Sequence, residues 1–176
     1  MRRAVLTCFI LTLTTSGQEL WSDDSVADKA EVFIFVATDC PIANGYAPEL
    51  ARIHQDYAEL GICFTLVYPE PSLEENEIKA HLKDYSLPHG FVHDRLHKIV
   101  QKAGATVTPE VAVFNAGGIL VYRGKIDNRY SEYGDRRNSA TETYLRDVLK
   151  LLSSGKAVEF HETEPIGCFI EAIPAN

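Results

Sequence analysis

The chain has 176 residues, 45% of them hydrophobic, and 25 Asp and Glu against 17 Lys and Arg give a formal net charge of −8. That length and composition suit one domain with an ordinary core, and no low-complexity block or internal repeat interrupts it. The acidity argues against a nucleic-acid or anionic-membrane partner, since both need a basic face.

Met1 to Gly17 reads as a signal peptide. Arg2 and Arg3 supply a positive start, Ala4 to Leu13 a short apolar core, and Thr15-Ser16-Gly17 small residues suited to cleavage. The apolar run is too short to span a bilayer; the alternative is an apolar N-terminal helix that stays attached. The expected organisation is a signal peptide at 1–17, a domain at 18–155 and a tail at 156–176, in an exported periplasmic or extracellular protein. Export would leave Cys40, Cys63 and Cys168, an odd number in a compartment where disulfides persist.

Val32 to Ala37 is a continuous apolar run with the composition of a strand buried on both faces. A helix should begin at Cys40, with Pro41 in its first turn and Pro48 kinking it further on. A cysteine at that junction meets unpaired backbone N–H groups and the positive end of the macrodipole, which favour a thiolate. Gly61 to Tyr68 reads as a second strand, with Cys63 as a buried core thiol. Ser72 opens a helix with Glu75 as its capping-box partner, running through Ile78 and Leu82 to about Tyr85.

A short strand at Phe91-Val92 precedes a helix from Asp94 to Ala103, with Leu96, Ile99 and Val100 on one face and a stop at Gly104. His93 and His97 have a spacing that can hold a metal, but no ligand-spaced cysteine or carboxylate accompanies them, so surface or capping histidines are expected and no metal. Thr108-Pro109 leads into two strands, Val111 to Phe114 and Ile119 to Tyr122, joined by the hairpin signal Asn115-Ala116-Gly117-Gly118. The last helix, Ser139 to Leu152, carries Tyr144, Leu145, Val148, Leu149 and Leu152 at helical spacing. This order predicts an α/β fold, a mixed sheet with helices on both faces.

Three motifs carry a resemblance. CPIANGYAPEL, Cys40 to Leu50, follows the first strand and places a proline eight residues after the cysteine; YRGKIDNRY spans Tyr122 to Tyr130; and the tail holds Gly167-Cys168. Together they resemble the redoxin group of the thioredoxin-like superfamily. The resemblance implies a three-layer thioredoxin-like fold and a thiol-disulfide oxidoreductase acting on protein thiols and disulfides. It implies a cis bond before Pro109, which turns the backbone of Thr108 toward the cysteine and toward an extended partner; the alternative is a trans proline opening a strand.

The second cysteine of a CxxC pair is absent, since Ala43 stands there. Disulfide exchange needs an accessible thiolate and a second thiol to resolve the mixed disulfide. Cys40 is therefore the expected nucleophile and Cys168 the expected resolving cysteine, with a structural Cys40–Cys168 bridge as the competitor. Pro41, Thr108, Arg123, Asp127 and Arg129 are the expected substrate-binding residues, the cations also favouring the thiolate; the charged loop also fits a solvated connection.

No cofactor is expected, and no CxxCH haem signature occurs. Two other functions stay open. A peroxiredoxin-like peroxidase would carry Thr or Ser where Ala37 stands and an Arg near Thr108-Pro109. A redox-inert protein-binding module would use the same groove. Copper proteins of the Sco type use a CxxxC pair, where this chain has Asn44.

Overall fold

The apolar run after residue 29 forms strand β1, Ala30–Phe35, buried along nearly all its length. The computed structural model describes residues 29–88, 90–132 and 135–173. The expected signal peptide, Cys8 and His89 lie outside the described residues. Helix α1, Pro41–Tyr57, follows β1 and contains Pro48. A 3-10 turn then leads into β2, Ile62–Tyr68. Next come α2, Glu75–Asp84; β3, Gly90–His93; and α3, Lys98–Ala103. The two-residue β4, Val107–Thr108, precedes the hairpin of β5, Glu110–Asn115, and β6, Leu120–Gly124. A small hairpin, β7 at Tyr130–Glu132 and β8 at Asp135–Arg136, leads to α4, Tyr144–Ser153. The tail adds β9, His161–Glu162, and β10, Cys168–Phe169.

The main sheet has the order β3-β2-β1-β5-β6-β9. β1, β2 and β3 run parallel, and β5 is antiparallel to both β1 and β6. Alternation along β1 splits the core in two. Val32 and Ile34 face a cluster containing Ile42, Leu50 and Ile53 of α1 and Leu145, Val148, Leu149 and Leu152 of α4. Phe33 and Phe35 face the other side, with Val100 and Ala103 of α3. This is the expected α/β mixed sheet covered on both faces, and its interior strand β1 delivers the N-terminus of α1 beyond its own carboxyl end.

Five expectations differ. The last helix, expected from Ser139, begins at Tyr144, because Thr141 N and Glu142 N donate to Asn128 Oδ1 instead of entering a helix. The helix expected from Ser72 begins at Glu75, because the capping box is made by Glu74 and Glu77 while the Ser72 hydroxyl donates to Glu70 instead. The helix expected from Asp94 begins at Lys98. Asp94 acts from a distance, its carboxylate accepting from the N–H groups of Lys98, Ile99 and Val100. Leu96 therefore lies in a turn before the helix and is 64% exposed rather than on a buried stripe. Cys63 is exposed, not a core thiol. It pairs with Glu31 at the start of β2, before β3 joins at Thr65, and the alternation that buries Ile62 and Phe64 turns Cys63 outward.

Candidate active site

Cys40 is the N-cap residue of α1, in extended conformation, with Pro41 as the first helical residue. It is only 1% exposed. The missing N–H of Pro41 leaves no orphan donor there, and the Cys40 carbonyl accepts from Asn44 N at 3.0 Å. Its Sγ donates to the Thr108 carbonyl at 3.0 Å. The Thr108–Pro109 peptide is cis.

Glu110 fixes the segment entering that bend. Its buried carboxylate accepts from Thr106 N at 2.7 Å and Val107 N at 3.3 Å, with Arg123 Nε 3.7 Å away. Burial holds the Glu110 carboxyl above its ordinary range, against the opposing pull of those N–H groups and of Arg123.

The tail completes the site. At its root β9 lies parallel to β6, pairing Tyr122 with His161 and Arg123 with Glu162. Thr163 Oγ1 accepts from Lys125 N at 2.9 Å and bonds to the Tyr122 hydroxyl at 2.8 Å. The Arg123 guanidinium pairs with Glu162 and donates to the carbonyls of Gly104, at 3.0 Å, and Ala103, at 3.3 Å. At its tip β10 is antiparallel to β4, with Cys168 opposite Thr108 and Phe169 opposite Val107. Ile170 N donates to Thr106 O at 2.9 Å. This register sets the Cys168 and Cys40 sulfurs 2.9 Å apart. Gly167 permits it: a Cβ there would meet Thr108 O at 2.1 Å.

Cys40, Cys168, Thr108, Pro109 and Pro41 thus share one locus. Arg123 joins the tail root to Glu110. Asp127 and Arg129 meet α1 instead: Asp127 Oδ1 accepts from the Tyr46 hydroxyl at 2.6 Å and from Arg129 N at 2.7 Å. The Arg129 guanidinium lies 3.3 Å from Asp127 Oδ2 and 3.8 Å from Glu49. Burial of Tyr46, with Asp127 beside it, pushes its phenol far above the ordinary range. His93 and His97 each bond to a backbone carbonyl, of Glu70 and Pro69 respectively.

Two contributors escape sequence reasoning. One is Glu110, a charged residue opening an otherwise apolar strand. The other is a buried polar chain under the cysteine turn. Asn44 Nδ2 donates to Thr38 O at 2.9 Å, leaving its Oδ1 to accept from His81 Nε2 at 2.8 Å. Tyr68 OH then donates to His81 Nδ1, also at 2.8 Å. One neutral tautomer satisfies every group. The usable signal was His81 itself, three residues from Ile78 on the apolar face of α2.

Burial lowers the His81 pKa, against an opposing pull from Asp84. A histidine whose folded pKa lies below its unfolded one binds fewer protons when native. Its contribution is complete above the unfolded value of about 6.5 and is lost as pH falls through that value toward the folded one. Urea midpoints should therefore decline between about pH 7 and pH 5, and His81→Gln should flatten that decline. An identical slope in the variant would remove His81 as the cause.

A cysteine at a helix N-terminus facing a cis-proline bend, at the end of a sheet of this order, defines the thioredoxin-like class. Within it, the Redoxin family model matches residues 5–141, and the chain belongs to that family. The tail strand bearing Cys168 lies beyond the matched residues. No curated protein matches the sequence.

Among solved structures, an uncharacterized conserved protein from Geobacillus kaustophilus is 24% identical with a TM-score of 0.71, over 88% of this chain and 83% of that one. A hypothetical protein from Sinorhizobium meliloti 1021 is 23% identical at a TM-score of 0.71, over 82% and 80%. A thiol:disulfide interchange protein of the thioredoxin family from Chlorobium tepidum TLS is 16% identical at a TM-score of 0.54, over 73% and 83%. At these identities the likeness is one of fold.

Proposed function

We propose that this protein is a thiol-disulfide oxidoreductase of protein partners, with Cys40 and Cys168 as its redox couple. The observation that carries the reading is the 2.9 Å approach of the two sulfurs across the cis-proline groove. A disulfide needs about 2.05 Å, so a small closing movement joins them. Cys40 caps the N-terminus of α1, and the tail strand brings a second thiol to it, which is what exchange requires. The Chlorobium neighbour's description as a thiol:disulfide interchange protein agrees with this chemistry.

In this reading Cys40 attacks a partner disulfide while the tail is displaced, and Cys168 returns to resolve the mixed disulfide. Thr108 and Pro41 border the reacting sulfurs, while Arg123, Asp127 and Arg129 hold the groove and the tail root in place. A purely structural bridge fits less well. The strand that delivers Cys168 is two residues long, and its Phe169 is 85% exposed, a light closure rather than a packed staple.

The division into a domain at 18–155 and a functional tail at 156–176 belongs to the same proposal. So does export, supported by the sequence of residues 1–17; among the described residues no helix is long and apolar enough to cross a membrane. The test is trapping with a disulfide-bonded model protein. Cys168→Ser should accumulate a mixed disulfide at Cys40 that the unmodified protein clears, and Cys40→Ser should abolish turnover. Unchanged turnover in Cys168→Ser would sink the resolving role.

A further inference from the structure

The two sulfurs of the couple differ in access. With the tail seated, Cys40 is sealed at 1% exposure, whereas Cys168 is half-buried and borders an open cleft of about 460 Å³. That cleft is acidic. Asp39, Glu70 and Glu171, all exposed, stand around it, and among the described residues no Lys or Arg lines it. Glu70 keeps its charge because Ser72 donates to it through both Oγ, at 2.7 Å, and N, at 3.0 Å, which holds its carboxyl below the ordinary range. His93 and His97 lie behind it, bonded to the carbonyls of Glu70 and Pro69.

A second feature of the wall independently points to a ligand. Thr108 is 2% exposed, and its buried Oγ1 has no hydrogen-bond partner. A buried hydroxyl is seldom left so, and Thr108 belongs to the wall of the cleft beside Cys168. Phe169, almost fully exposed, offers an apolar surface at the same opening.

We propose that the Cys40–Cys168 disulfide is reopened at Cys168, by a cysteine-bearing peptide segment whose flanking residues are cationic and which enters this acidic cleft. The inference rests on the reading that the two cysteines form a redox couple, and adds where and by what the oxidised protein is reduced. The partner thiolate attacks Cys168 Sγ, forms a partner–Cys168 disulfide and expels Cys40 as thiolate. Cys40 takes up the proton shed by the incoming thiol, and its S–H then donates a hydrogen bond to Thr108 O, the contact of the reduced state. A second partner thiol then displaces Cys168. Two partner thiols become one disulfide, and the two cysteines are reduced by the same two electrons. The substrate disulfide and the reductant therefore meet different sulfurs of one couple.

The full-length protein is first oxidised, and the Cys40–Cys168 bond is confirmed by peptide mass mapping. Its reduction is then timed with short cysteine peptides flanked by two lysines, two serines or two glutamates, each rate being corrected for thiolate fraction and nucleophilicity. At low ionic strength the lysine peptide should react about tenfold faster than the glutamate peptide, with serine between, and salt near 0.5 M should shrink the ratio to about twofold. Glu70→Gln combined with Glu171→Gln should shrink it likewise. Acid-quenched intermediates should carry the peptide on Cys168.

Equal corrected rates for the three peptides, or peptide carried on Cys40, would overturn the cleft assignment while the couple stands. Failure to form the Cys40–Cys168 bond at the outset would overturn the couple and this inference with it.

Discussion

Replacing Gly167 with valine should unseat the tail while leaving the domain folded. The Gly167 Cα lies so close to the Thr108–Pro109 peptide that an added Cβ would meet Thr108 O at 2.1 Å, Thr108 C at 2.6 Å and Pro109 N at 3.1 Å. All three are backbone atoms of a segment pinned by Glu110, so no flexible side chain can move aside. The tail must lift instead, and with it go the β10–β4 pairing and the bond from Ile170 N to Thr106 O. Around β10 only the partly buried Ile166, Cys168 and Ile170 pack against the two hydrophobic clusters, whose buried members all lie outside the tail, and the root at Glu162 and Thr163 stays anchored to β6 and Lys125.

Cys168 then becomes a loosely tethered thiol rather than a positioned one. A hundredfold fall in effective concentration is reasonable for losing that alignment. Since a tenfold change in a two-electron couple is about 30 mV, the potential of the Cys40–Cys168 couple should rise by about 60 mV. Alkylation of Cys40 should accelerate as its cover lifts. A redox titration with the unmodified potential, together with an unchanged alkylation rate, would show that the tail seats without Gly167.

The same contact explains which parts of the site could be read from sequence. Cys40-Pro41 after an apolar strand, the hairpin at Asn115 to Gly118, Thr108-Pro109 before β5 and the stripe of α4 are local patterns, set within a few residues by propensity and periodicity. The starts of α2, α3 and α4 are not legible because competing polar groups decide them; for α4, Asn128 holds Thr141 N and Glu142 N outside the helix. Ser72 has a nearer acceptor in Glu70, and Asp94 caps α3 from beyond the intervening turn.

Cys63 looked buried because its neighbours are apolar, yet its exposure depends on where β3 begins to pair, a fact stored some twenty-five residues away. The tail's register is less legible still. A strand of two residues has no period to detect, and its place on β4 is set by the fit of Gly167 over a bend more than fifty residues earlier. The motif could suggest that Cys168 matters. Only the packed backbone shows why it arrives beside Cys40.

Asp127→Ala should give the largest stability loss of any substitution near the site, and the reason separates holding the groove from binding a substrate. Asp127 is 4% exposed and serves three donors: the Tyr46 hydroxyl, Arg129 N and the Arg129 guanidinium. Removing the carboxylate strands the buried Tyr46 hydroxyl, leaving only a 3.4 Å contact with the Asp127 carbonyl. It also leaves the largely buried Arg129 with Glu49 at 3.8 Å, while its Nε already lacks a partner. Leaving a buried charge uncompensated costs about 3–5 kcal/mol, and a stranded hydroxyl adds about 1–3 kcal/mol, the two overlapping rather than summing. A net loss of about 4 kcal/mol corresponds to roughly 10 °C in Tm for a domain of this size.

Asp127→Asn keeps an oxygen for Tyr46 and Arg129 N and should lose about half as much. Because Tyr46 lies on α1 only six residues from Cys40 and packs against Tyr130, the loosened helix should also slow closure of the Cys40–Cys168 bond. Slower closure should appear in Asp127→Ala and in Tyr46→Phe alike, since both break the same bond. If Asp127→Ala instead kept its Tm but lost reactivity toward one class of partner, Asp127 would be a substrate contact and the clamp reading would fall.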